Sequence, residues 1–319
     1  MSKDGSNCPS TIDCISTDRD SSLIEVMQHE RLQRQHWPSS CLYVVATPIG
    51  NLADISQRAL YVLQMVDAIA CEDTRSTQVL LNAYSIHKPL IAAHQHNESA
   101  VAERLIELLA QGKRVALVSD AGAPAVSDPG SKVVAKVHEA GFKVCPIPGA
   151  SAVITALMAS GFTTDEKPSF AFAGFVPSKK NAREEWLKYW LSQPMTVLMY
   201  EAPHRLKDCF KAIIEQSAAE PNRQIMVGRE LTKRFEEIQL MPIAELLNWL
   251  AEDKQREKGE FVLVVEPSLD KQSAKDYMPL LKELLTHGIS VRDSAKIVHK
   301  AMGISRDEVY QAALALKES

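Results

Sequence analysis

The chain has 319 residues, which is enough for two domains that each bury a core, and its 45% hydrophobic and 24% charged residues are typical of a globular protein. Its net charge of −4 argues against a strongly basic nucleic-acid binder. Six scattered cysteines without a C-x-x-C pair indicate a reducing, cytoplasmic setting, and no apolar run is long enough to span a membrane or to form a signal peptide.

The first predicted elements follow an N-terminal tail. Residues 1–40 are rich in Ser and Asp, so we expect a disordered or loosely attached tail, with at most a short helix over residues 22–34. Residues 41–160 alternate short apolar runs with helical patterns, which predicts a parallel sheet covered on both faces. The predicted strands are Leu42–Ala46, Asp67–Cys71, Leu90–Ala93, Val115–Val118 and Val144–Ile147. The predicted helices are Ile55–Met65, Thr77–Ala83, Ser99–Ala110 and Lys132–Glu139.

A second α/β domain is predicted over residues 161–268, after a hinge near residues 160–168. Its predicted strands are Phe170–Phe175, Thr196–Tyr200, Gln224–Gly228, Glu236–Leu240 and Glu260–Val265, and its predicted helices are Asn181–Leu191 and Leu206–Gln216. Residues 269–319 predict a small domain of three short helices. Two of these helices carry capping-box signatures, Ser290 with Asp293 and Ser305 with Glu308.

Four loops that follow predicted strands carry the polar and small residues that suit a ligand, because open α/β sheets bind ligands at the carboxyl ends of their strands. The strongest is Ser119–Gly130, which is longer than the roughly 2–6 residues that a strand-to-helix connection needs. The loops Thr47–Leu52 and Pro148–Ala152 fit tight turns and close packing as well as a ligand. Tyr200–Arg205 contains a Glu-x-x-His-Arg cluster that has little packing value.

Other ligand motifs are missing. Neither the G-x-G-x-x-G fingerprint after the first strand nor a G-x-x-x-x-G-K-[ST] loop occurs, which argues against a dinucleotide or P-loop site. The immediate neighbours of His94 and His96 are Gln95 and Asn97 rather than acidic or cysteine residues, so we interpret the pair as part of a polar loop and expect no metal.

Eight motifs run in order along the chain. They are TPIGNLADISQRA (Thr47–Ala59), CEDTR (Cys71–Arg75), SDAGAPAVSDPG (Ser119–Gly130), PGASAVITAL (Pro148–Leu157), FAGFVPSK (Phe172–Lys179), YEAPHR (Tyr200–Arg205), GRELTKRFEE (Gly228–Glu237) and KGEFVLVVE (Lys258–Glu266). Together they resemble the tetrapyrrole methylase superfamily, and more narrowly the ribosomal RNA small subunit methyltransferase I family. The N-terminal tail departs from the usual start of that family.

The resemblance implies a homodimer of two α/β domains with S-adenosylmethionine in the cleft between them, plus the small helical domain. It implies methylation of the ribose 2′-hydroxyl of a cytidine in the decoding region of small-subunit (16S) rRNA, with the rRNA or the 30S particle as partner and neither DNA nor a membrane. Two alternatives remain at this point: a small-molecule, precorrin-type tetrapyrrole methyltransferase, and a non-catalytic RNA-binding ribosome assembly factor. The YEAPHR and GRELTK motifs favour the RNA branch.

The resemblance also implies site residues. Those for the cofactor are Pro48, Gly50, Asp120, Ala121, Gly122, Ser127, Ser151, Ala152 and Tyr200. A ribose hydroxyl is a poor nucleophile, so a base or a cation should ease its deprotonation. The catalytic candidates are Glu72, Arg75, Glu201 and His204, and a network of salt bridges that braces the protein is the equal alternative for them.

Cations are needed for the phosphates of RNA. The candidates for substrate binding are Lys179, Arg205, Arg229, Lys233, Lys296 and Lys300, and each could instead lie on a solvated face. Residues 271–319 hold 8 Lys/Arg and 6 Asp/Glu, a balance of +2, against 28 and 34, a balance of −6, in residues 1–270. The chain is therefore acidic overall but basic at its C-terminal end.

Overall fold

A computed structural model of the chain describes residues 30–94, 97–127, 129–268, 277–302 and 304–318. Within these ranges residues 30–33 are helical, whereas most of the helix predicted over residues 22–34 lies outside the described residues. The chain divides into two units, Met1–Thr47 with Ile55–Gly149, and Pro48–Asp54 with Ala150–Ser319. The domain boundaries inferred from the sequence stay predictions.

The first unit is built on a parallel sheet of five strands. They are β1 (Cys41–Val45), β2 (Ala68–Cys71), β3 (Leu90–Ala92), β4 (Arg114–Val118) and β5 (Lys143–Ile147). The helices are α1 (Gln57–Met65), α2 (Thr74–Ala83), α3 (Glu98–Ala110) and α4 (Ser131–Glu139). In the order β3-β2-β4-β1-β5 every neighbouring pair is parallel, as the sequence predicted.

Both faces of this sheet are buried, because successive side chains along a strand point to opposite sides. Tyr43 packs on one face with Val62 of α1 and Leu81 of α2. Its neighbour Leu42 packs on the other face with Leu105 of α3. This two-sided burial is why the strands are apolar along their whole length.

The capping of α1 differs from expectation. The sequence offers Asp54 or Asn51 as a cap for the helix that follows the first loop, but neither residue caps it. They lie in a separate turn, in which the Asn51 side chain accepts a hydrogen bond from the Ala53 amide at 3.1 Å. The N-cap of α1 is Ser56, whose hydroxyl accepts from the Ala59 amide at 3.1 Å.

The second unit contains a mixed sheet of five strands. They are β6 (Phe170–Phe175), β7 (Thr196–Glu201), β8 (Gln224–Arg229), β9 (Glu237–Pro242) and β10 (Phe261–Val265). Its helices are α5 (Ala152–Ser160), α6 (Lys180–Leu191), α7 (Leu206–Gln216) and α8 (Leu246–Glu252). The order is β6-β7-β10-β8-β9, with only β6 and β7 parallel. The sequence did not predict α8, which is only seven residues long.

Each face of the second sheet has its own core. Met199 of β7 packs with Phe210 of α7 on one face. Leu198 of β7 packs on the other face with Val153 of α5 and with Ile49 from the segment Pro48–Asp54. The loop that follows β1 in sequence is therefore part of the second unit's core.

Three C-terminal helices follow, as predicted: α9 (Met278–Thr286), α10 (Val291–Met302) and α11 (Arg306–Glu318). Their shared core contains Leu281, Val298 and Val309. The Ser290 side chain caps α10: its hydroxyl accepts from the Asp293 amide at 3.1 Å and donates to the Asp293 carboxylate at 2.6 Å. None of the helices in the described ranges is long and apolar enough to cross a membrane.

Candidate functional site

The loop after β4 is tied to the end of β1 by a reciprocal backbone pair. The Thr47 amide donates to the Gly122 carbonyl at 2.8 Å, and the Gly122 amide donates to the Thr47 carbonyl at 3.0 Å. The Thr47 hydroxyl also donates to the Ser119 carbonyl at 3.2 Å, and the Ser119 hydroxyl donates to the Gly122 carbonyl at 3.2 Å. These bonds hold the start of the loop at the carboxyl edge of the first sheet, where the sequence predicted a ligand site.

The same loop contains backbone conformations that side chains rarely adopt. Gly122 has φ +80°, which glycine tolerates, but Ala125 and Ser127 also have positive φ values of +66° and +68°. A left-handed residue other than glycine costs about 1–3 kcal/mol, and such residues persist where the surrounding structure fixes them, often at functional sites. Two in one predicted ligand loop support the assignment of the loop to a binding function.

Glu98 fixes the other end of this loop, and the sequence did not predict its role. It lies in the first turn of α3 and is 5% exposed. Its carboxylate accepts a hydrogen bond from the Gly130 amide at 2.6 Å and lies 3.7 Å from the Lys132 ammonium. Acidic residues in the first turn of a helix are common, so nothing in the sequence distinguished this one.

Three carboxylates meet at the ends of β2 and β4, which are neighbours in the sheet. The Asp73 amide donates to the Asp120 carboxylate at 3.2 Å, and Glu72 lies beside both residues. Burial, and then the charges of Asp120 and Asp73, raise the pKa of Glu72. The pKa of the Glu72 carboxyl is therefore shifted in the direction that suits a general base.

Arg75 holds Asp73 rather than Glu72. Its guanidinium donates to the two Asp73 carboxylate oxygens at 3.2 and 2.7 Å, and these bonds lower the pKa of Asp73 to about 2. Asp73 also caps α2 by accepting from the Arg75 amide at 2.8 Å, so the helix begins earlier than the predicted Thr77. The Arg75 side chain is 90% exposed and remains accessible to a substrate.

Gly50 and Lys233, predicted to bind cofactor and RNA, are packed against each other in the second unit. A Cβ on Gly50 would lie 2.9 Å from Cε of Lys233, and the φ of Gly50 is +154°. The Lys233 ammonium donates to Glu230 at 3.1 Å and to Glu260 at 2.9 Å. These contacts favour a bracing role for Lys233 and explain the glycine at position 50 by packing.

Arg229, another predicted RNA contact, is also engaged by the protein. It is 9% exposed, and its guanidinium donates to the carbonyls of Lys258 and Gln255, each at 2.8 Å. Its head group also lies 3.8 Å from the Glu237 carboxylate. These bonds join the GRELTK motif to the segment before β10, so bracing is the simpler explanation of this arginine.

Glu201, Arg205 and His204 lie together at the end of β7. The Glu201 carboxylate is buried, accepts from the Ala202 amide at 2.7 Å and pairs with Arg205 at 2.5 Å. Its second oxygen, Oε2, is buried and has no hydrogen-bond partner among the residues that the structure describes. His204 is exposed on the same turn. The structure thus joins the predicted catalytic Glu201 to the predicted RNA-binding Arg205, while His204 faces solvent.

Tyr200 and Ala152 pack on one apolar cluster with Ile49. The Tyr200 ring lies 4.8 Å from that of Phe172 and 5.2 Å from that of Phe175. The remaining predicted residues of this unit differ in exposure. Pro48 is buried, Ser151 is the half-buried N-cap of α5, and the exposed cations are Lys179, Lys296 and Lys300.

Two regions of the chain match the sequence profiles of known protein families. Residues 41–247 match the sequence profile of the tetrapyrrole (corrin/porphyrin) methylases, and residues 271–317 match that of the RsmI C-terminal HTH domain. The chain is 43% identical to ribosomal RNA small subunit methyltransferase I of Escherichia coli O157:H7, over 86% of this chain and 94% of that protein. It is 42% identical to the protein of the same name from Bacillus subtilis (strain 168), over 85% and 93%.

Solved structures share the fold. A uroporphyrin-III-C-methyltransferase from Thermus thermophilus has a TM-score of 0.51 at 19% identity, over 71% of this chain and 94% of its own. A diphthine synthase has a TM-score of 0.53 at 17% identity, over 73% and 92%. At these identities the likeness shows the fold alone.

Removal of the Glu98 carboxylate should loosen the loop after β4. We expect Glu98→Ala to weaken binding of S-adenosylmethionine roughly 10- to 100-fold, because a hydrogen bond to a charged group contributes about 1.5–3 kcal/mol. Calorimetry measures the affinity. Glu103→Ala, which removes an exposed carboxylate from the same helix, is the matched control. Equal affinities in the two variants would contradict the role of Glu98.

The raised pKa of Glu72 predicts that the stability of the protein depends on pH. Because its folded pKa is raised above 4.5, folding favours the protonated carboxyl, and this contribution to stability is lost as pH rises through the folded pKa. We expect Glu72→Gln to unfold at a higher denaturant concentration than the parent at neutral pH, with no difference in acid. Its methylation rate should nevertheless fall. Lower stability of Glu72→Gln at neutral pH would identify a bracing residue instead.

Proposed function

The chain belongs to the ribosomal RNA small subunit methyltransferase I family of the tetrapyrrole methylases, and we propose that it methylates the ribose 2′-hydroxyl of a cytidine in the decoding region of small-subunit (16S) rRNA. S-adenosylmethionine is the methyl donor of the family and the cofactor of this chain. The chain is therefore a methyltransferase. We propose further that its substrate is rRNA, that the modified nucleotide is a cytidine and that the methyl group goes to the 2′-oxygen.

One observation carries the choice of RNA over a tetrapyrrole. The chain combines a methylase region with a second region that matches the C-terminal domain of the RNA methyltransferases. The alignment with the uroporphyrin methyltransferase of known structure spans 94% of that protein but only 71% of this chain. A small-molecule methylase thus accounts for less of the chain than the RNA enzymes do.

The loop over residues 120–127 fits a small, charged cofactor. Its side chains from Ala121 to Ala125 are small or cyclic and leave room for a ligand, although the backbone groups of Gly122 are already paired with Thr47. The exposed Asp120 carboxylate can accept from an ammonium or a hydroxyl group. Bound S-adenosylmethionine supplies an electrophilic methyl group on a sulfonium. The residues that we propose to hold it are those that the resemblance implies, namely Asp120, Ala121, Gly122, Ser127, Pro48, Gly50, Ser151, Ala152 and Tyr200.

The protein's chemical task is to orient a ribose hydroxyl and to accept its proton. Burial and the charges of Asp120 and Asp73 raise the pKa of Glu72, which is the direction that favours a general base. Asp73 is a weaker base, because Arg75 holds its pKa at about 2. We assign Glu72 to the proton and Arg75 to the positioning of the substrate. Glu201 is assigned to the orientation of Arg205 and of the turn that carries His204.

The RNA phosphates require accessible cations. Lys296 and Lys300 lie on the exposed side of α10, and Lys179 is exposed at the start of α6. Ser294 and Val298 are buried on the opposite side of α10. We therefore propose that α10 contacts the backbone of the RNA with these lysines. Arg205, Arg229 and Lys233 instead bind groups of the protein itself, so we propose that they stabilise the loops in which they lie.

A second copy of the chain is the proposed partner of the exposed apolar residues in the second unit. On α5, Ile154 is 45% and Met158 81% exposed, and on β9 Ile238 is 43% and Leu240 49% exposed. A helix that is apolar all round is normally buried. A homodimer that covers α5 would satisfy this, and we expect it to act in the cytoplasm, where ribosomal subunits lie.

Transfer of tritiated methyl groups tests the proposal. We expect the protein to label small ribosomal subunits, and nuclease digestion to release the label as 2′-O-methylcytidine. Large subunits and a precorrin are the control substrates, and Asp120→Ala is the control for adventitious transfer. Label on a base, or label in the precorrin alone, would contradict the proposed function.

A further inference from the structure

The loop between β8 and β9 is held in one conformation by its own polar groups. The Lys233 amide donates to the Glu230 carbonyl, and the Glu236 amide to the Lys233 carbonyl, both at 3.0 Å. The Thr232 amide donates to the Glu236 carboxylate at 2.5 Å. Glu230 and Thr232 have positive φ values of +50° and +66°. A short loop with two left-handed residues and these internal bonds has little freedom to move.

The tip of this rigid loop carries an arginine and an exposed aromatic ring. Phe235 is 65% exposed, and the guanidinium carbon of Arg234 lies 5.6 Å from its ring centroid. Arg229 donates to the Phe235 carbonyl at 3.3 Å, which fixes the backbone under the ring. An exposed phenyl group in a fixed position is unfavourable in water, so a ligand that covers it gains the burial of that surface.

Arg234 differs from the cations around it. Lys233 pairs with Glu230, and Arg256 pairs with Glu237 at 2.8 Å. Among the described residues, no carboxylate lies within 4.0 Å of the Arg234 guanidinium. In the part of the chain that the structure describes, the neighbouring cations are therefore paired with carboxylates, whereas the Arg234 guanidinium lies against the Phe235 ring.

We propose that Arg234 and Phe235 form a stacking site for an unpaired base of the RNA substrate, with Arg234 also meeting the adjacent phosphate. Single-stranded nucleic acids are recognised through bases that stack on aromatic side chains and on guanidinium planes, and every base offers a face for stacking. The site rests on the proposed RNA substrate. Lys179, Lys296 and Lys300 are proposed to bind phosphates, whereas this site would bind an unpaired base.

The place of the loop fits this role. Through Lys233 it packs on Gly50, in the segment that we expect to contact the cofactor in the same unit. A base held at Phe235 would thus help to fix the strand near the reacting nucleotide. A protein partner is the other occupant to test, because Ile238 and Leu240 continue the exposed apolar surface along β9.

Four variants test the stacking site. They are Phe235→Ala, Phe235→Trp, Arg234→Gln and the control Tyr189→Ala, which removes a ring that is 60% exposed on α6. Methylation is measured against the concentration of small subunits at several ionic strengths, together with calorimetry of S-adenosylmethionine and sedimentation of each variant. Anisotropy with a labelled single-stranded RNA measures binding without catalysis.

If Phe235 and Arg234 form a stacking site, each variant should have a different effect on RNA binding. Phe235→Ala should raise the apparent KM for RNA about 5- to 150-fold and leave its dependence on salt unchanged, because stacking releases no counterion. Phe235→Trp should keep the parent's affinity. Arg234→Gln should reduce the slope of log affinity against log salt by about 0.7, the value for one phosphate contact on a single strand. Affinity for the cofactor should stay the same throughout.

Other results would overturn the site. An unchanged KM in Phe235→Ala, or an equal loss in Tyr189→Ala, contradicts stacking at this position. A change of mass in sedimentation identifies the ring as a contact between copies of the chain. A parent that binds the single-stranded RNA through Phe235 without methylating any rRNA would contradict the proposed function and leave the stacking site intact.

Discussion

The reciprocal hydrogen bonds between Thr47 and Gly122 are the constraint on which the candidate site depends. They join the ends of two adjacent parallel strands, so the loop after β4 starts from a fixed point at the edge of the sheet. The Glu98 carboxylate fixes its far end at the Gly130 amide. Between these two anchors the chain adopts left-handed conformations that it would otherwise avoid. A loop clamped at both ends loses little entropy when a ligand binds, which favours affinity for a small cofactor.

Charge in the second unit is divided between internal support and accessible cations. Arg229 and Lys233 bind carbonyl and carboxylate groups of the protein, and they hold the β8–β9 loop against the segment before β10. Arg234 and Lys179 are left on the surface. A protein of net charge −4 can therefore still present local positive sites to RNA. The motif GRELTKRFEE contains both kinds of residue, so its arginines and lysine do not share one function.

The sequence predicted the first sheet well, because strands buried on both faces have a continuous apolar pattern. It also located the loops Ser119–Gly130 and Tyr200–Arg205 from their composition. It could not predict Glu98, whose partner Gly130 is 32 residues away, or the engagement of Arg229, whose acceptor Lys258 is 29 residues away. Both contacts depend on how distant segments meet, which periodicity and spacing do not contain. The short helix α8 was missed because seven residues give too little helical period.

Amide hydrogen exchange across the loop after β4 tests the central claim most directly. If the loop is preformed, the amides of Thr47 and Gly122 exchange slowly in the free protein, because both donate to backbone carbonyls. Saturating S-adenosylmethionine should then slow exchange further within residues 120–127, and leave the amides around Tyr189 unchanged. Rapid exchange at Gly122 in the free protein, with no slowing when the cofactor is added, would contradict a preformed cofactor loop.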